Sequence, residues 1–184
     1  MGNENTAKRA DYDFYATPSE AVYALVDNVE LSREIWEPAC GTGSISKILK
    51  DFGFDVFSTD LIYRGYGETD SVDFLKCRPD EPVRKDIVTN PPYNLALDFV
   101  KRAVEIVDTG FLVCMLLKLT FLEGQKRREF FRRYPPQYVC VFSKRIGCAR
   151  NGDFEAMKKQ SSAVAYAWFI WKKGFQGEPK IRWI

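Results

Sequence analysis

The stretch REIWEPACGTGSISKILKDFGFDVFSTD, Arg33 to Asp60, decides the fold. Apolar residues near positions 35–39 read as a buried strand. ISKILKDFG then reads as a helix stopped by Gly53, and DVFSTD as a second strand ending on Asp60. Strand, turn, helix and strand in that order make a crossover unit with parallel strands. The turn itself, GTGS, carries Gly41 and Gly43, which have no Cβ and let backbone approach a ligand closely. It sits at the carboxyl end of a strand, where open α/β sheets bind ligands. Asp60 follows the glycines by about 20 residues, the position from which an acid reaches ribose hydroxyls. Capping of the next turn is the alternative reading of Asp60. A third glycine is missing, which argues against a pyrophosphate group and for an adenosine-bearing ligand without phosphates.

The alternation continues on both sides. Before the unit, ATPSE predicts a helix start, with Thr17 as N-cap, Pro18 at the first helical position and Glu20 completing a capping box. After it, SVDFL is a short element carrying Asp73. DIVTN is a strand, and LALDFVKRAVEIV an amphipathic helix with Ala96, Phe99, Val100, Ala103 and Val107 on one face. FLVCMLL is a further buried strand. FLEGQKRREFFRRY is a helix with Glu123–Arg127 and Glu129–Arg133 at i,i+4 spacing. QYVCVF and AVAYAWFIW are the last two strands, expected to form an antiparallel hairpin at the sheet edge. The fold class is α/β: one Rossmann-like, mostly parallel, seven-stranded doubly wound sheet. Residues 1–184 form a single domain, with 1–13 flexible and 143–162 a long polar loop.

Composition bounds the chemistry. The chain has 184 residues, 46% apolar and 28% charged, with a formal net charge of +2, so total charge forces no nucleic-acid reading. It contains no His, which removes Ser-His and Cys-His nucleophilic machinery and the commonest metal ligand. The five cysteines are widely spaced with no C-x-x-C, so neither a zinc site nor a disulfide framework is expected, and the thiols read as reduced. No signal peptide or membrane-length apolar run is present. The opening MGNENT fits a loose myristoylation pattern, but a polar terminus is the preferred reading.

The second informative stretch is DIVTNPPYN, Asp86 to Asn94. Pro91 and Pro92 fix φ and remove two N–H donors. Asn90 is pushed to extended geometry at a strand end, and nearby carbonyls have few local donors to occupy them. That corner suits acceptance of hydrogen bonds from a bound planar group. Tyr93 offers a ring face for stacking, or else packs as a turn aromatic.

Together, Glu37-Pro38-Ala39-Cys40-Gly41-Thr42-Gly43, Asp60, Asp73-Phe74 and Asn90-Pro91-Pro92-Tyr93 resemble the class I S-adenosylmethionine-dependent methyltransferases. More narrowly they resemble the N6-adenine DNA methyltransferases. DFYATPSEAV, ahead of the glycine loop, looks like that group's N-terminal cofactor motif, and FLEGQKRREFF and YAWFIW look like its compact phage and prophage members. The resemblance covers roughly residues 11–174. It implies S-adenosylmethionine as cofactor, no metal, and methyl transfer to adenine N6 in DNA. In that reading Glu37, Pro38, Ala39, Cys40, Gly41, Thr42 and Gly43 hold the methionine end, with Thr17 and Pro18 near its carboxylate. Asp60 binds the ribose, Leu61 or Ile62 lies against the adenine, and Asp73 and Phe74 contact that adenine. Asn90 and the Pro91 carbonyl bind the target amine beside the cofactor, Pro92 stiffens the corner and Tyr93 stacks on the target base. A cytoplasmic location, in a bacterium or phage-infected host, is implied as well.

Two basic segments extend the expectation to a nucleic-acid partner. KRREFFRR, Lys126 to Arg133, has five bases and one acid, and reads as either a solvated face or a phosphate contact. The 143–162 loop carries a net charge of +3 and an unusual aromatic, Phe154, a candidate second stacking face. Lys126, Arg127 and Arg145 are the substrate-side bases singled out. No separate target-recognition domain is expected, so sequence readout should be short or loose. The N-P-P-Y motif leaves RNA adenine and protein glutamine open as acceptors, and a non-catalytic binding module on this scaffold is the remaining class. Glutamine enzymes usually add an N-terminal helical domain, for which about 35 residues ahead of the glycine loop leave little room.

Overall fold

The computed structural model describes residues 15–150, 152–153 and 164–184. Residues 1–13 and Phe154 lie outside the described residues. Nine strands are present among those described: β1 (Tyr15–Ala16), β2 (Glu34–Glu37), β3 (Asp55–Ser58), β4 (Asp86–Thr89), β5 (Leu112–Lys118), β6 (Tyr138–Val141), β7 (Ala149–Arg150), β8 (Tyr166–Lys172) and β9 (Lys180–Trp183). Four α-helices accompany them: α1 (Ser19–Asn28), α2 (Ser46–Asp51), α3 (Ala96–Ile106) and α4 (Gln125–Arg133).

Seven strands make one sheet in the order β3-β2-β4-β5-β8-β6-β9. Only β8 runs against its neighbours, pairing antiparallel with β5 and with β6; the other pairs are parallel. This is the expected doubly wound α/β class. The antiparallel pair expected at the edge is β8 with β6, and β9 adds outside it. The four β9 residues alternate polar and apolar, Lys-Ile-Arg-Trp, but all are exposed, so burial of an apolar face does not hold this strand. It is held by main-chain bonds to β6, such as Ile184 N–H to Val141 O at 2.9 Å.

Period-2 alternation sends neighbouring side chains to opposite faces and builds two cores. Trp36, Ile87, Val113, Met115, Leu117, Phe169 and Trp171 face α3 and α4. Ile35, Val88, Cys114, Leu116, Trp168 and Ile170 face α1 and α2. Buried polar atoms find partners across elements, as they must in a dry interior. Trp168 Nε1 donates to Ala21 O at 2.7 Å, tying β8 to α1. Asp86, 1% exposed, accepts from Leu112 N–H at 2.8 Å and Ser32 N–H at 2.6 Å, and burial raises its pKa. The five thiols are unpaired, and four of them are buried.

Two local expectations change. Helix α1 begins at Ser19 with Pro18 as N-cap and no side-chain cap. The Thr17 hydroxyl instead accepts from Asn90 Nδ2, a partner brought from the end of β4. On α4, Arg127 does not pair with the Glu123 carboxylate. Its Nε donates to the Glu123 backbone oxygen at 2.6 Å and its guanidinium lies 5.0 Å from the Phe121 ring centre. Glu129 pairs with Arg132 at 3.6 Å in place of Arg133.

Candidate active site

The topology sets where a ligand can enter. From β2 the chain crosses to β3 on one side, and the next strand, β4, lies on the other side of β2. Loops leaving β2 and β4 therefore diverge at their carboxyl ends and open a crevice there. A cavity of about 450 Å³ occupies this switch point. Its size is ordinary for a small-molecule site. The glycine turn after β2, the irregular crossover after β3 and the Asn90–Leu95 corner after β4 form its walls, with Tyr15–Thr17 and Lys118 closing the rim.

The floor is Glu37, 2% exposed at the end of β2. Its Oε2 accepts from Ser46 N–H at 2.9 Å and from the Ser46 hydroxyl, which in turn contacts the Ser58 hydroxyl at 2.6 Å. Ser46 stands where a dinucleotide loop would have its third glycine, and its buried hydroxyl grips the acid from inside. Burial dominates these hydrogen bonds and pushes Glu37 up to about 8. Cys40, between Glu37 and Asp60, is pushed up to about 12, first by burial and then by the two neighbouring acids.

Asp60 is anchored by three donors: Gly41 N–H at 2.8 Å, Ile62 N–H at 3.0 Å and Arg64 Nη1 at 3.3 Å. A carboxylate has about four lone-pair sites, so room for one further donor remains. Asp60 thus pins the glycine turn to the following crossover. Asp73 Oδ1 accepts from Leu75 N–H at 3.2 Å, starting the 3₁₀ turn Phe74–Lys76, and Oδ2 pairs with Lys76 at 3.0 Å. Phe74 is 2% exposed, wedged against Trp36 and Phe99, with Asp73 and Phe74 both on the cavity wall.

The corner after β4 holds the most telling atom. Asn90 Nδ2 donates to Tyr15 O at 2.8 Å and to Thr17 Oγ1 at 3.1 Å. These two bonds fix the amide, and they leave Asn90 Oδ1 buried with no hydrogen-bond partner. An unmatched buried acceptor is costly, so its presence on a cavity wall marks a binding position. Pro91 and Pro92 have no N–H to offer it. Tyr15 is set in place by the β1–β7 pair, in which Tyr15 faces Arg150 and Ala16 faces Ala149.

Tyr93 stands beside Asn90, with its ring 5.0 Å from Tyr15 and 5.8 Å from Tyr166, both tilted. The Lys118 ammonium lies over the ring, 4.9 Å from its centre. Burial raises the Tyr93 phenol far above its ordinary range and holds Tyr166 at about 12. The Cys148 thiol lies among Tyr93, Asn90 and Tyr166, and burial pushes it up to about 11.

Of the residues singled out in the sequence, Thr17, Glu37, Pro38, Ala39, Cys40, Gly41, Asp60, Leu61, Ile62, Asp73, Phe74 and Asn90 to Tyr93 converge on this cavity. Pro18, Thr42 and Gly43 do not line it. Gly43, at φ +83°, faces the Tyr66 ring, which a Cβ would meet at 2.5 Å, so packing explains this glycine. Lys126, Arg127 and Arg145 are also off the cavity wall, although α4 and the segment after β6 both start from the strand ends at this edge of the sheet. The sequence reading missed Tyr15, Arg64 and Lys118. Lys118 had a signal: it ends an apolar strand run at the edge where such sheets bind ligands.

The cavity volume and the anchored acid at the second strand end fit an adenosine-bearing cofactor. No group of three His, Cys, Asp or Glu side chains among the described residues is placed to hold a metal ion. No described helix is long and apolar enough to cross a membrane.

No protein-family model matches the chain, and no curated protein does. Solved structures do. A candidate class I S-adenosylmethionine-dependent methyltransferase from Listeria monocytogenes superposes with TM-score 0.59 at 13% identity, over 91% of this chain and 64% of that one. A candidate RNA methyltransferase from Pyrococcus horikoshii gives 0.56 at 16%, over 88% of each chain. The modification subunit of a candidate type I restriction enzyme from Vibrio vulnificus gives 0.58 at 14%, over 96% of this chain and 48% of that one. The chain thus spans less than two-thirds of the first of these and about half of the last. At such identities the likeness is one of architecture: the chain has the Rossmann-like fold of the class I S-adenosylmethionine-dependent methyltransferases.

Proposed function

We propose that the chain uses S-adenosylmethionine to methylate the exocyclic N6 amine of adenine in DNA. The observation that carries the proposal is Asn90 Oδ1, a buried acceptor without a donor on the wall of the switch-point cavity. An adenine amine is a poor nucleophile because its lone pair is delocalised into the ring. Two acceptors, Asn90 Oδ1 and the Pro91 carbonyl, draw its two N–H groups and favour a pyramidal nitrogen with an available lone pair. When bound, S-adenosylmethionine supplies an activated methyl group on a positively charged sulfur. The protein's part is then aim and fixed dipoles. Asn90 is suited to that part because its amide is held from behind by Tyr15 and Thr17 and need not reorganise.

In this reading Glu37 and the Pro38–Gly41 backbone receive the methionine end, with Thr42 and Gly43 shaping the turn behind it and Thr17 and Pro18 at its carboxylate. Asp60 offers its remaining lone pair to a ribose hydroxyl. Leu61, Ile62, Asp73 and Phe74 surround the adenine. Tyr93 offers its ring face to a base taken out of its stack. Lys126 and Arg145 serve as substrate-side bases. The candidate restriction-enzyme modification subunit and the candidate RNA methyltransferase among the structural neighbours support a nucleic-acid acceptor.

The test is transfer of labelled methyl from S-adenosylmethionine to DNA, RNA and protein pools, followed by nucleoside and amino-acid analysis. N6-methyl-2′-deoxyadenosine in the DNA pool is the expected outcome. Label confined to RNA adenine or to glutamine overturns the choice of DNA. Cofactor binding with no transfer to any pool overturns the enzyme.

A further inference from the structure

We infer that Lys118 is a substrate-contacting residue that covers the Tyr93 ring in the free protein and moves to a backbone phosphate of the target nucleotide when the base enters; this rests on the nucleic-acid reading above. The first support is what Lys118 lacks. Lys76 and Lys85 pair with carboxylates, Lys173 donates to two helix carbonyls, and Lys47 and Lys50 lie over the Tyr66 ring, but of these lysines and Lys118 only Lys118 lines the cavity. Among the described residues the Lys118 ammonium has the Tyr93 ring, and its charge is felt by the Cys148 thiol, but no oxygen acceptor meets its three donors. An ammonium kept at a cavity rim without an oxygen partner is poised for one that arrives with a ligand.

The second support is register. Thr89 pairs with Met115, which puts Asn90 level with Leu116. Lys118 lies two residues further along β5, about 7 Å nearer the opening. Cys114, Leu116 and Lys118 share one face of the strand, the face on which Val88 and Trp168 pack. Lys118 pairs with Tyr166 across β5–β8, so both stand above the Asn90 level, Lys118 on the cavity wall and Tyr166 buried beside it. In adenine, N6 and the glycosidic N9 lie at opposite ends of the purine. A base whose amine reaches Asn90 therefore trails its sugar and phosphates toward the rim, where Lys118 stands. The ring face under the ammonium is the one a stacking base needs, so the charge must leave it, and a flexible lysine stem allows the move. A compact point charge suits phosphate better than it suits a ring nitrogen.

The experiment uses the full chain loaded with S-adenosylmethionine and an adenine-containing DNA oligonucleotide. Lys118→Met keeps most of the stem. It is expected to weaken oligonucleotide binding about tenfold at low salt, the range of a hydrogen bond to a charged group less the lost ring contact. The slope of log affinity against log salt should fall by about 0.7–0.9, the loss of one phosphate contact. A neutral methylphosphonate, placed in turn on either side of the target adenosine, should weaken wild-type binding similarly at one position and leave Lys118→Met unaffected there. Lys118→Arg should restore most of the affinity. Additive losses at both positions, an unchanged salt slope, or tighter binding by Lys118→Met overturns the phosphate contact. If wild-type protein neither binds nor methylates the oligonucleotide, the nucleic-acid reading fails and takes this inference with it.

Discussion

Replacing Asn90 by Ala removes three things that the structure separates. It deletes the unpartnered Oδ1, it deletes the donor to Tyr15 O at 2.8 Å, and it deletes the donor to Thr17 Oγ1 at 3.1 Å. The first loss falls on rate. Removing one aimed, preorganised polar group from a reacting centre costs about 100- to 1000-fold. The other two fall on stability, at about 0.5–1.5 kcal/mol per hydrogen bond, so the mutant should be about 1–3 kcal/mol less stable. Cofactor affinity should fall only a few-fold, through loosening of Tyr15–Thr17. Thr17→Val separates the effects, because it removes one anchor and keeps Oδ1. Its rate should drop about tenfold, reflecting an acceptor that is present but less well held. The assay is single-turnover methylation of an adenine-containing oligonucleotide, with cofactor titration and urea unfolding of each variant. A folded, cofactor-saturated Asn90→Ala that turns over near the wild-type rate would refute the mechanism and leave Asn90 as a clasp for the N-terminal segment.

Glu37 binds a proton at about 8 in the folded chain against an ordinary 4.5, so between these values the folded state holds more protons than the unfolded one. Its contribution to stability is full below about pH 4.5 and is lost as pH rises through about 8, with a slope of up to about 1.4 kcal/mol per pH unit. Urea unfolding from pH 5 to 9 should show this fall in wild type and a flatter profile in Glu37→Gln. Gly43→Ala combines a positive φ with a Cβ that meets the Tyr66 ring at 2.5 Å, and should destabilise by about 2–4 kcal/mol. Adding Tyr66→Ala relieves only the contact, so a double-mutant cycle should show coupling between the two, and strict additivity would deny the contact. On α4, Arg127→Ala should lower stability by about 1 kcal/mol, because the side chain packs on Phe121 and binds two backbone carbonyls. Lys126→Ala with Arg128→Ala, both exposed, should leave stability within about 0.5 kcal/mol and lower the salt slope of nucleic-acid binding. An unchanged slope would make this face merely solvated.

What the sequence determined by itself was whatever depends on short range. The unbroken apolar runs FLVCMLL and AYAWFIW dictated strands buried on both faces, because period 2 sends consecutive side chains to opposite sides. The glycine turn and the two prolines after Asn90 dictated backbone shape in the same way, and the order of strands and helices then put both corners at one edge of one sheet. Tertiary structure decided who binds whom. Thr17 had a good local role as a helix cap, yet its hydroxyl went to an amide 73 positions away. Asp60 caps the next turn through Ile62 N–H, as a local reading allows, and also accepts from Gly41 N–H, 19 positions back, which the fold brings near. Strand β9 alternates Lys-Ile-Arg-Trp over only four residues and buries none of them, so its place beside β6 rests on main-chain hydrogen bonds and not on an apolar face. Lys118 over Tyr93 is the clearest case: a lysine at a strand end reads as solvated until the β4–β5 register sets it above the acceptor corner. A polar atom has several possible partners of similar strength, and local sequence cannot rank them. The packing of the cores fixes the distances, and the distances choose the partner.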